Sequence, residues 1–572
     1  MKTVHPATIL EEDSKNRVLE PNAGKSSNFY HSDHILQSYL KKHMRADALK
    51  YMTDKLEWIG EEAATQMNLL SAQADQNGPV IKKRTPYGED LEEIEFHPSY
   101  WKLMDMAAET EMFYVKWDPD LRKKFSNERH LLGFSVGHLY AMTELGVYCP
   151  LCMTDGAARL LDLFADDEDK HRLIPGLSSR NGKTLLSGAM FLTEKAGGSD
   201  VGANRTMATH LEGKLYRLNG EKWFCSNANA HVMMVLARSN EQSGTKGLSL
   251  FLVEKTLPDG TRNPMEYIRL KEKMGVRSMA TAEIKLKDTI GKLIGEEGKG
   301  FKMMTEMINL SRLYNSVTAV AGSRRALIEA YEFLTYRKTF GKTALEHALI
   351  RDKLWELGSL HIVDFLLVWK TIQTMDAADN GDERSAHLNR ILIPMSKWFS
   401  AETSVYIGRE SMELMGGMGY IEDTVMPRIY RDLLVLPIWE GSGNIIVLDV
   451  LRASQKTKGM QYLLEDIQKL SRKSEKYGDI IQKELAKVTK VLEALPEQSR
   501  DSMESSAKPI FKRLIYLWQM ALMIEEMDQD NRQWIELALE YMSKHLHPEK
   551  FGVKEPPSVE TIQNLIGWEL KY

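Results

Sequence analysis

From about His34 to Ile174 the apolar residues recur in steps of three and four, as in YWKLMDMAAETEMFYVKW (100–117) and VGHLYAMTELGVY (136–148). That spacing lines one face of a 3.6-residue helix and predicts a helical region. From about Leu185 to Lys287 the pattern changes to short runs rich in β-branched and aromatic residues, separated by turn residues. LLSGAMFLTE, KLYRLNGEKWF, HVMMVLAR, GLSLFLVEK and TAEIKLKD are spaced as in a small barrel or sandwich. After GEEGKGF the helical period returns in long segments, beginning at Phe301, and persists to the C-terminus. The order is helices, strands, helices, and the predicted divisions are 1–184, 185–290, 291–454 and 455–572. The class is α+β, mostly α. LIYLWQMALMI (514–524) is about half the ~20 residues that a spanning helix needs, so it reads as a buried helix.

A chain of 572 residues exceeds what one hydrophobic core organises, which agrees with several domains. A net charge of −5 offers no general attraction to nucleic acid or to an anionic membrane. The region from Gln455 onward carries 18 Lys/Arg and 19 Asp/Glu and is balanced. Cys149, Cys152 and Cys225 are too few for a disulfide framework. The first twenty residues lack an apolar core and carry early acidic residues, unlike a secretory leader or a transit peptide. A reducing, cytoplasmic setting is expected.

Several short stretches could carry chemistry, and each also has a plain structural reading. TEKAGGSDVGAN (193–204), between two β-runs, is either a tight turn or a loop whose small residues admit a cofactor. It lacks the spacing and the following helix of a dinucleotide fingerprint. KWFCSN (222–227) ends a β-run with an aromatic expected in the core. RKTFGK (337–342) and LMGGMGYIED (414–423) are good helix-stop sequences. Cys149-Pro-Leu-Cys152 has redox or metal spacing, but no second pair or nearby His supports it, so buried thiols are expected. His545-Leu-His547 lacks ligand partners and reads as surface, and no metal centre is expected. In IWEGSGNIIVLDVLR (438–452) one carboxylate, Glu440, follows an apolar pair and precedes Gly-Ser-Gly. That order suits a charge held in an apolar place by a tightly bent backbone.

Taken in succession, TEKAGGSD, KWFCSN, RKTFGK, LMGGMGY and IWEGSGN resemble the acyl-CoA dehydrogenase family over roughly residues 140–455. SNFYHSD, LEEIEFHPSYW, CPLCMT, TLPDGTRN and RLKEKMGVRS, with the helical tail, resemble its DNA-alkylation-response branch over nearly the whole chain. The resemblance implies an N-terminal helical domain, a middle β-barrel, and a C-terminal four-helix bundle with a helical extension. It implies an FAD enzyme that removes hydrogens from the α and β carbons of a fatty acyl-CoA. Glu440 matches the base; the family's alternative position is Ser311 here, which cannot serve. Leu192, Thr193, Ser199 and Ser226 match residues that meet the flavin, with Phe224 where Trp is usual. Arg337, Thr339 and Phe340 match residues that touch the flavin nucleotide across a subunit boundary, and Ser442 and Asn444 match residues after the base that hold it. Arg312 and Trp439 match positions near substrate, Trp439 replacing the commoner Tyr, and Ala348 stands where Gln is usual. A homotetramer and an electron-transfer flavoprotein as acceptor are further implications.

On that reading, burial against Ile438, Trp439 and the flavin is expected to raise the pKa of Glu440, with Gly441 and Gly443 allowing the turn. The branch likeness implies an alternative, a DNA-binding flavoprotein with weak dehydrogenase activity. Duplex binding needs a basic face to neutralise phosphates, and the balanced charge argues against one. A flavin-dependent oxidase or an acyl-CoA-sequestering protein would fit the same scaffold.

Overall fold

The computed structural model describes residues 27–546 and 558–568. The leader reading and His547 lie outside them. Contacts divide the chain into two compact units, 66–318 with 437–445, and 1–65 with 319–436 and 446–572.

The first unit holds a short hairpin, β1 (Val80–Arg84) and β2 (Asp90–Glu95), and helices α1 (Pro98–Glu109), α2 (Arg129–Ala141), α3 (Leu145–Phe164) and α4 (Asp167–Leu177). Helix α3 is capped by Glu144, which accepts from the Val147 N–H. It is buried on every side along most of its length, which marks an interior helix rather than an amphipathic surface one. Any polar group it carries must therefore find a partner. Asp155 does: Lys116 Nζ donates at 2.6 Å, Trp117 Nε1 at 2.6 Å and the Tyr314 hydroxyl at 2.8 Å.

Seven strands follow: β3 (Gly188–Phe191), β4 (Met207–Glu212), β5 (Leu215–Ser226), β6 (Val232–Arg238), β7 (Leu248–Glu254), β8 (Met265–Leu270) and β9 (Thr281–Ile294). Five form a ring, β6–β4–β5–β9–β7 and back to β6, closed where Met207 meets Arg238. Closure removes exposed edges. β3 runs parallel to β6, and β8 pairs with β9. α3 sits directly on β3, because a Cβ at Gly188 would lie 2.7 Å from the Met153 carbonyl.

Helix α5 (Gly300–Tyr336) leads from the first unit into the second. A two-residue hairpin, β10 (Lys338–Thr339) and β11 (Lys342–Thr343), turns through Phe340 and Gly341, both with positive φ. RKTFGK thus follows the end of α5 at Tyr336, as a helix stop should, and adds a hairpin, where positive φ at both central residues suits the right-handed strand twist. The second unit continues with α6 (Ala348–Asp379), α7 (Glu383–Leu414), α8 (Gly443–Lys456), α9 (Gly459–Ser471), α10 (Glu475–Ala494), α11 (Arg500–Glu526), α12 (Arg532–Leu546) and α13 (Val559–Ile566). α6 packs on α7 and also on α11 and α12 of the extension. The run 514–524 is the largely buried C-terminal part of α11. The fully buried Arg324 anchors α13, pairing with Asp33 at 3.0 Å and donating to the Ile566 carbonyl at 2.7 Å. Among the described residues no helix is long and apolar enough to cross a membrane.

Asp364 on α6 accepts from Gln519 of α11 at 2.7 Å in a dry interior, and burial pushes its carboxyl up to about 8. The folded value lies above the unfolded one, near 3.8. Ionising the group in the folded state is therefore unfavourable, and stability falls as pH rises from about 4 toward 8. Asp364→Asn is expected to raise the unfolding midpoint at pH 8. The gain should shrink by about 1.4 kcal/mol for each pH unit descended toward 4. Denaturant melts at pH 5, 6.5 and 8 measure it, and a gain independent of pH would refute the assignment.

Candidate active site

Glu440 closes the turn that precedes α8. Its backbone is left-handed, with φ 57°, and Gly441 follows at φ 100°. A non-glycine residue there carries strain of about 1–2 kcal/mol, persisting only where surroundings impose it. One such constraint is Arg312 on α5, whose Nε donates to the Glu440 carbonyl at 3.3 Å. Gly443 does not share the left-handed conformation and simply begins α8.

The surroundings of Glu440 differ from the expected apolar wall in one respect. Ile438 is 67% exposed and does not bury the carboxylate. Trp439 is half-buried, and its indole N–H is buried without an acceptor among the described residues. Glu440 itself is half-buried. Its charge acts on two thiols of α3: burial and then Glu440 push the Cys149 thiol up, and burial, Cys149 and Glu440 do the same to Cys152. Cys152 donates to the Ser311 hydroxyl at 3.3 Å. A protonated, buried thiol is a poor nucleophile, so neither is a reactive group. Both are the buried thiols expected from the sequence, and their i, i+3 spacing turns them to one side of α3.

At the barrel, Leu192 and Thr193 follow β3, half-buried, and Ser199 is exposed. The Thr193 carbonyl accepts from the Trp223 N–H at 2.8 Å, joining this loop to the end of β5. Below it Glu194 pairs with the buried Lys222 at 2.7 Å and accepts from the N–H of Arg205 and of Thr206. Phe224 departs from the expected core position. At a break in the β5–β9 register it takes φ 56° and stands 59% exposed. Ser226 lies 3.5 Å from the Thr281 hydroxyl, which accepts from Lys273 at 3.2 Å. The Lys273 charge also acts on Cys149. Ser226, Thr281 and Lys273 therefore form one continuous series, and Lys273 and Thr281 escaped the sequence reading.

Ser442 and Asn444, flanking the start of α8, are exposed. Arg337, just before the β10–β11 hairpin, and Thr339 and Phe340 on it belong to the other unit. Thr339 lies 3.0 Å from His347 Nε2, and Phe340 is 97% exposed at the tip. Among the described residues no cluster of His, Cys, Asp and Glu could hold a metal.

Known proteins share this domain order and fold. Residues 20–181 match the N-terminal domain of adaptive response protein AidB, 189–289 the acyl-CoA dehydrogenase middle domain, and 298–455 its C-terminal domain. AidB of Escherichia coli (strain K12) is 32% identical over 520 residues, spanning 88% of this chain and 91% of AidB. The chain belongs to the acyl-CoA dehydrogenase family. Within that family it falls in the branch that carries the AidB N-terminal domain. The apo form of Bd2924 superposes with a TM-score of 0.79 at 32% identity, covering 90% of this chain and 98% of that one. Caenorhabditis elegans ACDH-11 in complex with C11-CoA gives a TM-score of 0.84 at 26% identity, covering 90% of each chain.

Proposed function

We propose that the protein is an FAD-dependent acyl-CoA dehydrogenase in which Glu440 is the base. The observation that carries this reading is the strained, left-handed Glu440, whose carbonyl accepts from Arg312, the neighbour in sequence of the Ser311 that meets Cys152 of α3. Strain of that kind is kept where a side chain must be aimed. A CoA thioester as ligand is supported by the C11-CoA complex of the C. elegans relative.

The residues present fit a flavin. Phe224 stands exposed near the end of β5 beside the half-buried Thr193 loop, and the Trp439 indole N–H is an orphaned donor beside the base. Leu192, Thr193, Ser199 and Ser226 would hold the ring, and Ser442 and Asn444 would hold it from the α8 side. Arg337, Thr339 and Phe340 would reach the nucleotide of a neighbouring subunit in a homotetramer. FAD, when bound, supplies at N5 the two-electron acceptor for the hydrogen leaving the β-carbon. Glu440 takes the proton from the α-carbon at its carboxylate. The Glu440 backbone N–H would stabilise negative charge growing on the thioester oxygen, and a donor so placed is worth about 3–4 kcal/mol of barrier. Electron-transfer flavoprotein as acceptor and a cytoplasmic location belong to the same reading.

Anaerobic titration of the purified holoprotein with acyl-CoA tests the proposal. Flavin absorbance near the visible maximum is expected to bleach with about one equivalent of a good substrate. A second reading, a DNA-binding flavoprotein, draws on the AidB-type N-terminal domain. No bleaching by any acyl-CoA, together with a tight and steeply salt-dependent gel-shift, would replace the first reading by the second.

A further inference from the structure

Lys222, opposite Ile284, is the last residue of β5 in register with β9 before the break, and it is fully buried. At the break the Trp223 N–H leaves the ladder and donates to the Thr193 carbonyl at 2.8 Å. The Lys222 ammonium reaches the same loop. It pairs with Glu194 at 2.7 Å and lies 3.4 Å from the Leu192 carbonyl. That carbonyl also accepts from the Asn204 amide at 2.7 Å. Glu194 is buried and accepts in turn from the Arg205 N–H at 2.6 Å, the Thr206 N–H at 3.1 Å and the Thr206 hydroxyl at 2.6 Å. Burial alone would push its carboxyl up, but the Lys222 charge and these bonds hold it below the usual range. Beyond Glu194 the chain folds back, and a Cβ at Gly198 would lie 2.9 Å from Thr193 Oγ1.

The backbone of Leu192 and Thr193 is thus held by two successive residues of β5 and by Asn204. A buried ion pair gives little net stability over apolar side chains of the same volume. What this pair supplies is direction, since a bonded network in a dry interior fixes the arrangement of its members. We infer that Lys222 and Glu194 are positioning residues for the flavin, fixing the Leu192–Thr193 edge that meets the ring, a role that rests on the flavin reading of those two residues. Without the pair, Leu192 keeps the Asn204 bond and Thr193 the Trp223 bond. The edge then gains freedom, and losing that freedom on binding weakens the hold on FAD.

FAD binding to the full chain, stripped of flavin and reloaded, tests this in the double variant Lys222→Met with Glu194→Gln. Both charges leave together, so no unpaired ion is buried, and the new amide oxygen can still accept from Arg205 and Thr206. FAD, titrated by quenching of tryptophan fluorescence, is expected to bind at least about tenfold more weakly than to the parent. The visible absorbance bands of the bound flavin are expected to shift, which a loss of stability alone would not cause. Parental affinity and bands in the folded double variant overturn the positioning role and leave the flavin reading intact. A parent protein that binds no FAD overturns both. Thr206→Val removes one hydrogen bond to Glu194 and no charge, and it decides alone if the double variant does not fold. About threefold weaker FAD is then expected, the worth of one hydrogen bond, and parental affinity overturns the role.

Discussion

Glu440→Gln is expected to slow flavin reduction by acyl-CoA by about 10²–10⁴-fold or more, the range a positioned general base contributes. Gln keeps the length of the side chain and loses only its ability to take a proton. The Arg312 contact is to the backbone carbonyl at 440, so the substitution leaves it in place. The left-handed turn through Glu440 and Gly441 also remains as it was. FAD content and the unfolding midpoint should therefore match the parent protein, which separates loss of the base from loss of the site. Anaerobic stopped-flow absorbance reads the rate directly. Reduction at the parental rate would remove Glu440 from the chemistry.

Asp155→Ala is expected to cost on the order of 3–5 kcal/mol, because Lys116 would stay fully buried without its counter-ion. Burial alone would push the Asp155 carboxyl up, but the Lys116 ammonium and the hydrogen bonds from Lys116 and Tyr314 hold it net below the usual range. The folded value lies below the unfolded one, so the group contributes stability above about pH 4 and loses it as pH falls through the folded value. The penalty of the substitution should be complete at neutral pH and shrink in acid. Replacing both partners, Lys116→Met with Asp155→Leu, should recover much of the loss, since no unpaired charge remains. Guanidinium melts at pH 7 and pH 4 measure both effects. A single variant as stable as the parent would show that the pair is not the buried anchor its geometry indicates.

Much of the architecture was legible in local pattern. The change from 3.6-residue to two-residue spacing near Leu185 and back near Gly300 corresponds to real helices and strands, because each period reflects which side chains share a face of one element. Glu440 was legible too, since Glu-Gly-Ser-Gly after an apolar pair needs a tight turn, and Gly441 takes the positive φ. The helix stop at RKTFGK was legible but its hairpin was not, because a helix stop and a short positive-φ hairpin both use glycine after polar residues.

What only the tertiary structure decided is how distant elements meet. Ile438 points outward and Phe224 leaves the barrel core, because a turn and a register break re-aim side chains that an apolar pattern would bury. Lys116 and Asp155 are 39 residues apart, and nothing local relates them. Cys152 meets Ser311 across 159 positions of chain, and Gly156 meets Met307 by the packing of α3 on α5. Local sequence determines the period and handedness of an element through sterics and side-chain alternation. Pairing across the core depends on the joint packing of many elements at once, which no short stretch of this chain encodes by itself.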